Sequence, residues 1–239
     1  MLKTNREIAK ETRENNHLSD KQKQLVLGAL LGDGGMFVKE NGKRGVQLCH
    51  GDDQIEYLEW KKEILGNFLV QKSPSGYCGG YGKFGNNYRT ITHQDFTDIY
   101  GMLYRKLAGK SKKFVTRRYL NNINDFGLMV WFMDDGGVAK DKDIRIATNG
   151  FSLSENKSIQ KWLWQRYGIE TNISFNSSNK TYFLRFNVLN SKKLMRLFEK
   201  YIRFLPDCIL YKFRFHFNLN DYTLNSYAST DIRTRMLKI

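Results

Sequence analysis

Two short stretches decide the fold of this chain, VLGALLGDG at residues 26–34 and LMVWFMDDG at residues 128–136. Each is apolar almost throughout and ends in an acidic residue followed by glycine, after polar residues that can cap a helix. We therefore predict one helix over about residues 20–32 and another from about residue 125. A helix that is apolar on nearly all sides must be buried on several faces. The recurrence of the pattern after about a hundred residues indicates an internal duplication.

The segments that follow the two apolar helices match in order. In the first half the pattern predicts strands at 37–40 and 45–50, a helix at 52–69, strands at 77–84 and 88–92, and a helix at 94–107. In the second half it predicts a strand at 143–149, a helix capped by Ser154, strands at 171–176 and 182–188, and a helix at 191–204. We therefore predict an α+β fold of two pseudo-symmetric αββαββα halves, packed through the two apolar helices, each half with an antiparallel sheet.

The duplication also sets the expected boundaries. We expect residues 1–18 to form a tail or a loosely held helix, and residues 19–108 to form the first half. Residues 109–124 are basic and are expected to be a loop-like linker, and residues 125–239 form the second half.

Composition favours a polyanionic partner. The 239 residues carry 39 Lys and Arg against 24 Asp and Glu, a net charge of +15, which a compact fold tolerates most easily when it binds nucleic acid. The three cysteines are unclustered, so we expect neither a disulfide framework nor a zinc site. No apolar run reaches the ~18 residues of a membrane span, and the N-terminus lacks a signal peptide. We therefore expect no membrane partner and an intracellular protein, in a bacterial or phage cytoplasm or an organelle matrix.

An aspartate ends each apolar helix, Asp33 in the first and Asp135 in the second. Asp135 is preferred to its neighbour Asp134 because it occupies the position that Asp33 fills. A single aspartate beside glycines is usually turn chemistry. Two of them at matching places, brought together by packed helices, would repel each other unless a divalent cation lay between them. Oxygen ligands without a His or Cys cluster indicate Mg²⁺.

Residues 26–34 and 128–136 resemble the two signature helices of the LAGLIDADG homing endonucleases, and the resemblance to a single-chain, two-motif member extends over roughly residues 18–215. It implies a monomeric endonuclease that cuts both strands of double-stranded DNA across the minor groove, at a long, largely asymmetric target. It also implies Mg²⁺ as cofactor, with Mn²⁺ as a substitute and Ca²⁺ bound without cleavage. The metal ligands would be Asp33 and Asp135, with Gly32 and Asp134 beside them.

The resemblance also implies one basic residue at each metal site. Lys113 and Lys212 follow the two acids at similar distances and are the candidates, although Lys112 is an alternative to Lys113. Such lysines could polarise the attacking water or offset charge in the transition state. Gln47 in the first half, and Arg145 or Asn149 in the second, are candidates for a polar residue that positions water. A base or backbone contact is the alternative role for Gln47.

Antiparallel strands can place a polar face in a DNA major groove while the other face packs on helices. The polar positions of the predicted strands give the candidate DNA-binding residues Lys83, Arg89, Thr92, Arg145, Asn172, Ser174, Asn176, Arg185 and Asn187. The remaining basic residues are assigned to phosphates, which affect affinity rather than sequence choice.

Two other functions fit the same scaffold. An RNA-binding intron maturase could use the basic surface to grip folded RNA, and a DNA-binding regulator could keep the fold without cutting. The presence of both acids and both lysines favours the nuclease.

Overall fold

The structure is a computed structural model that describes residues 3–39, 42–69, 85–139 and 143–214. Its first half contains α1 (Asn5–Asn15), α2 (Asp20–Leu31), β1 (Gly35–Val38), β2 (Arg44–Gly51), α3 (Ile55–Leu65), β3 (Gly85–Arg89) and α4 (Gln94–Leu103). A connecting region contains β4 (Tyr104–Leu107), β5 (Lys110–Lys113) and α5 (Arg117–Leu120). The second half contains α6 (Asp125–Asp135), β6 (Gly136–Val138), β7 (Ile144–Ala147), α7 (Leu153–Tyr167), β8 (Asn172–Asn176), β9 (Thr181–Phe186) and α8 (Val188–Ile202). Short 3₁₀ turns precede α3 at Asp52–Gln54, follow α3 at Gly66–Phe68 and follow α8 at Asp207–Lys212.

The two motif helices, α2 and α6, cross at the centre of the molecule. Both are buried along most of their length, as predicted. A side chain at Gly28 would place its Cβ only 2.2 Å from the backbone oxygen of Gly127, so the two backbones touch at this point. Gln24 joins the helices through its side chain, accepting from the Asn124 N–H at 2.8 Å and donating to the Asn122 carbonyl.

Each half places an antiparallel sheet after its motif helix. The first sheet has the order β1-β2-β3 and the second the order β6-β7-β9-β8. In both sheets a short strand begins beside the motif acid and pairs with the longer strand that follows it. The predicted α+β architecture of two similar halves is therefore confirmed. The predicted strand at 77–84 lies outside the described residues.

Some sequence expectations about individual elements are wrong. The helix predicted over 94–107 ends at Leu103, and a hairpin follows whose turn uses Ala108 and Gly109 at positive φ. Leu103 and Leu107 are spaced as on a helix, which made the strand look helical. Residues 109–124 are consequently not loop-like, since they contain β5 and α5. Ser152, not Ser154, caps α7.

Two further expectations concern the N-terminal segment and the cysteines. Within residues 1–18, α1 is a capped helix whose Ala9 and Thr12 side chains are buried, so this segment is packed rather than loose. Cys49 on β2 is disulfide-bonded, against the expectation of unpaired cysteines, whereas Cys208 is free. Spacing along a sequence does not reveal which thiols a fold brings together. No helix among the described residues is long and apolar enough to span a membrane.

Candidate active site

The two motif helices bring three carboxylates to the centre of the molecule. Asp33 follows the C-terminal end of α2, whereas Asp134 and Asp135 are the last residues of α6. Burial and the neighbouring Asp134 carboxylate raise the pKa of Asp33 to about 6. Burial and the carboxylates of Asp33 and Asp134 raise the pKa of Asp135 to about 7. The acids are therefore close enough to disfavour each other's charge.

Asp134 lies deepest of the three. A Cβ at Gly32 would lie 2.4 Å from the Asp134 Cβ, so only glycine fits opposite this residue. The Asp134 side chain is 0% exposed. Its Oδ1 accepts from the Tyr57 hydroxyl at 2.8 Å and from Lys61 Nζ at 2.7 Å, while its buried Oδ2 has no hydrogen-bond partner among the described residues.

One lysine reaches the end of each motif helix. Lys113, the last residue of β5, donates from Nζ to the carbonyls of Gly32 at 2.9 Å and Gly34 at 2.8 Å. Lys212 donates to the carbonyls of Met133 and Asp134, the latter at 3.2 Å. Positive charge is favourable at a helix C-terminus, where these carbonyls have no helical partner.

Burial lowers the pKa of both lysines, and the nearby carboxylates oppose this shift. Lys112, which the sequence left as an alternative to Lys113, is exposed on β5.

The first site has an additional side chain, His50 on β2. Its Nδ1 lies 3.7 Å from Asp33 Oδ2, and its Nε2 lies 2.8 Å from Lys61 Nζ. Burial, and then the Lys61 charge, lower the pKa of His50 to about 3, so the imidazole is neutral. Ligand atoms of Asp33, His50 and Asp134 all lie within 4.8 Å of one another, which is close enough to surround one cation.

Strand pairing makes Gln47 and Arg145 equivalent. Gln47 pairs with Gly35, two residues after Asp33, and Arg145 pairs with Gly137, two residues after Asp135. On their other sides these two residues pair with Arg89 and Arg185 respectively. Arg89 Nε donates to Gln47 Oε1 at 3.1 Å, so Gln47 is held beside the first acid by a neighbouring strand.

A groove extends from the second acid over the sheet. It encloses about 350 Å³ and is lined by Asp135, Gly136, Gly137, Arg145, Ala147, Asn149, Asn176 and Phe183. Three of these were predicted from the sequence as polar residues near the acid or facing DNA: Arg145, Asn149 and Asn176. The groove therefore connects the acid to the polar face of the sheet.

The remaining predicted DNA-binding residues differ in how exposed their side chains are. Arg89, Asn172 and Asn176 are exposed on strands, and Ser174 is half-buried on β8. Arg185 forms an ion pair with Asp143, at 2.6 Å from its Nη2. Thr92 is 1% exposed, so its side chain is buried away from any DNA. Asn187 is exposed, and its Oδ1 caps α8, so its contact with DNA stays a prediction. Lys83 lies outside the described residues.

The donor set fits a divalent cation. Two acids with raised pKa values and a buried carboxylate oxygen without a partner are groups whose negative charge a cation would stabilise. Carboxylate and carbonyl oxygens suit Mg²⁺ and Mn²⁺. Asp33 and Asp135 are the side chains predicted to hold it. The Asp134 Oδ1 is bound by Tyr57 and Lys61, which leaves only its Oδ2 for a cation.

The sequence did not reveal Tyr57, Lys61 or His50 as parts of this site. Tyr57 and Lys61 are four residues apart on α3 and share one helix face. A lysine on the apolar face of a helix was the available signal, because a lysine is fully buried only when it is paired.

Comparison with known proteins gives the family and the fold. The model of the LAGLIDADG DNA endonuclease family matches residues 23–194, and the chain belongs to that family. The structure of the homing endonuclease I-WcaI bound to its DNA recognition sequence shares the fold, with a TM-score of 0.72 and 20% identity over 88% of this chain and 94% of that one.

Two curated relatives extend the comparison. A protein named RecA from Mycolicibacterium flavescens is 29% identical over 206 residues, which cover 79% of this chain and 46% of that protein. The chain thus spans about half the length of this relative. Probable intron-encoded DNA endonuclease 3 of Mycosarcoma maydis is 28% identical over 117 residues, which cover 48% of this chain and 85% of that protein.

Proposed function

We propose that this protein is a site-specific DNA endonuclease that cuts both strands of a long, largely asymmetric target across the minor groove, acts as a monomer and requires a divalent metal ion. The observation that carries the proposal is the position of Asp33 and Asp135 at the C-terminal ends of two closely packed helices, with Lys113 and Lys212 donating to main-chain carbonyls beside them. The DNA bound by I-WcaI, and the name of the Mycosarcoma maydis relative, support a DNA substrate.

Asp33 and Asp135 would hold the cation, together with the main-chain carbonyl of Gly32 or Asp134. When bound, Mg²⁺ would supply positive charge that stabilises the phosphodiester transition state. Mn²⁺ should substitute for it, and Ca²⁺ should bind without supporting cleavage.

The chain's own residues have three roles in this proposal. Lys113 and Lys212 hold the turns that carry the acids, by donating to main-chain carbonyls on each side of the site. Their charge also offsets the negative charge that a phosphate brings to three carboxylates. Gln47 and Arg145 stand at equivalent places beside the two acids, where each can donate to a phosphate or hold water.

Target reading would use the sheet faces. A two-stranded or wider antiparallel sheet can enter a major groove, where arginine and asparagine side chains distinguish base pairs. The exposed Arg89 in the first half, and Arg145, Asn172 and Asn176 in the second, are the residues available for this. Because the two sheets carry different side chains, the two halves of the target should differ.

The decisive experiment incubates the purified chain with a randomised duplex library and Mg²⁺, and sequences the new DNA ends. The proposal predicts paired breaks on both strands at one sequence, which disappear with a chelator. A chain that binds the library but leaves no ends would instead be a DNA-binding regulator. A chain that binds structured RNA and not duplex DNA would be a maturase.

A further inference from the structure

A charged cluster lies buried beneath the first acid. Its members are His50 on β2, Tyr57 and Lys61 on α3, and Asp134 on α6. The side chains of Lys61 and Asp134 are 0% exposed and that of His50 is 2% exposed. The cluster therefore joins the first half to the motif helix of the second half, in an environment that excludes water.

The second half has a threonine at the strand position that His50 occupies in the first half. Thr148 follows Arg145 by three residues, as His50 follows its equivalent Gln47. Thr148 Oγ1 donates to Asn156 Oδ1 at 2.6 Å, and both residues are buried. The two halves are thus alike in fold but carry different buried side chains at this strand position.

Lys61 stands where a cation would bind. Ligand atoms of Asp33, His50 and Asp134 lie within 4.8 Å of one another and would suit a metal ion. Lys61 Nζ, however, is 2.7 Å from Asp134 Oδ1 and 2.8 Å from His50 Nε2, so it contacts two of these three groups. An ammonium group is a compact cation with three donors, which matches this position.

Removal of this ammonium would leave Asp134 as an unpaired buried carboxylate, directly before Asp135 in the chain. It would also free His50, whose other ring nitrogen lies 3.7 Å from Asp33 Oδ2. Lys61 can therefore affect the position of Asp33 through His50, and the position of Asp135 through Asp134.

We propose that Lys61 is a positioning residue, an internal cation that takes the place of a metal ion between Asp134 and His50 and makes the centre at Asp33 unequal to the centre at Asp135. Its consequence for cleavage rests on the proposed nuclease function. The two strands should then be nicked at different rates, and the difference should depend on Lys61.

The first experiment needs no DNA. Ni²⁺ is added to the wild type and to Lys61→Met, and thermal unfolding is followed. Ni²⁺ should raise the melting temperature of Lys61→Met by several degrees more than that of the wild type, because the vacated donors include an imidazole. Adding His50→Ala to Lys61→Met should abolish the extra shift, and Lys62→Met, which changes the adjacent lysine, should behave as the wild type. Equal Ni²⁺ shifts in the wild type and Lys61→Met would overturn the proposal.

The second experiment measures nicking of each strand of the target found by the library. Lys61→Met should slow one strand about tenfold more than the other. Lys61→Met/Asp134→Asn removes both members of the buried ion pair, and should regain most of that rate and the wild-type melting temperature.

Equal slowing of both strands, or no recovery in the double variant, would overturn the proposal. If Lys61→Met alone does not fold, the double variant should still fold, and its failure to do so would overturn the pairing. A wild type that does not cut at all would contradict the nuclease function, while the Ni²⁺ experiment would still test Lys61.

Discussion

The two halves of the molecule agree in backbone and differ in the chemistry beneath it. In each half an acid lies at or just after the end of the motif helix, a lysine donates to main-chain carbonyls next to that acid, and a strand begins within two residues. Near Asp33 lies a buried cluster that includes His50 and Lys61. The strand position matching His50 in the second half is Thr148, which donates to Asn156. The acids and lysines lie at matching positions in the two halves, whereas the buried side chains near them differ.

The helix crossing shows the same contrast. The third position of the motif is Gly28 in α2 but Val130 in α6. The close approach in α6 occurs instead at Gly127, whose own Cβ would meet Gln24. The crossing is therefore tight although it is not symmetric.

The largest expected effect on stability comes from Gly28. Gly28→Val should cost about 3 kcal/mol or more of unfolding free energy, because backbone atoms of α6 occupy the space and cannot rotate away. At the matching position in the other half, Val130→Ala removes volume instead of adding it and should cost about 1–2 kcal/mol. Urea unfolding would measure both.

Gly35→Ala is a matched control, since a Cβ there meets nothing within 4 Å. A Gly28→Val protein as stable as Gly35→Ala would mean that the helices do not touch at Gly28.

The lysines should have the next largest effect. Lys113→Met and Lys212→Met should each lower the cleavage rate by about 10²-fold at saturating protein, because each removes a positive charge from the site. Rates that recover fully at high protein concentration would show that the lysines only add DNA affinity. Lys112→Met, on the exposed face of β5, is the control and should retain the rate.

The raised pKa values of the acids predict a pH-dependent stability in the absence of metal. The folded protein holds protons on Asp33 and Asp135 up to pH values of about 6 and 7, whereas unfolded aspartates lose them near pH 4. The folded state therefore binds more protons between about pH 4 and 7, and these groups reduce stability as pH rises through that range.

Asp135→Asn should consequently stabilise the metal-free protein at pH 8 by about 2 kcal/mol, roughly half of the full shift because the carboxyl is partly exposed. At about pH 4 and below it should change stability little, since the carboxyl is then largely protonated in both the folded and the unfolded state. Mg²⁺ should raise the melting temperature of the wild type more at pH 8 than at pH 5. If the stability difference between Asp135→Asn and the wild type did not change with pH, the raised pKa of Asp135 would be contradicted.

The smallest expected effect distinguishes the two sheets. Arg145→Gln gives β7 the residue that β2 has at the matching place, and should relax sequence preference in one half of the target by about 1–3 kcal/mol. Binding selection with sequencing would measure this. Arg105→Gln, on exposed β4, should instead weaken binding to all sequences and reduce its salt dependence. The same uniform loss for Arg145→Gln would assign that residue to a phosphate.

Much of the fold could be predicted because the motif helices, their caps and the strand alternation are local features. The end of α4 could not, since Leu103 and Leu107 fit a helix until the turn at Ala108 and Gly109 is known. The duplication predicted where Asp33, Asp135, Lys113 and Lys212 lie, at the ends of the motif helices, and their roles stay predictions. The partners of His50 and Lys61 could not be predicted, because they depend on how α3 packs against α6, although the place of Lys61 on an apolar helix face was a signal that it is buried.

The central claim is that Asp33 and Asp135 act together at the crossing of the two helices. Its most direct test measures, for Asp33→Asn and Asp135→Asn, strand-resolved cleavage and binding of the target duplex with Mg²⁺. Each variant should lose double-strand cleavage by about 10³-fold or more while retaining DNA affinity within about tenfold. Double-strand cleavage near the wild-type rate by either variant would contradict the claim.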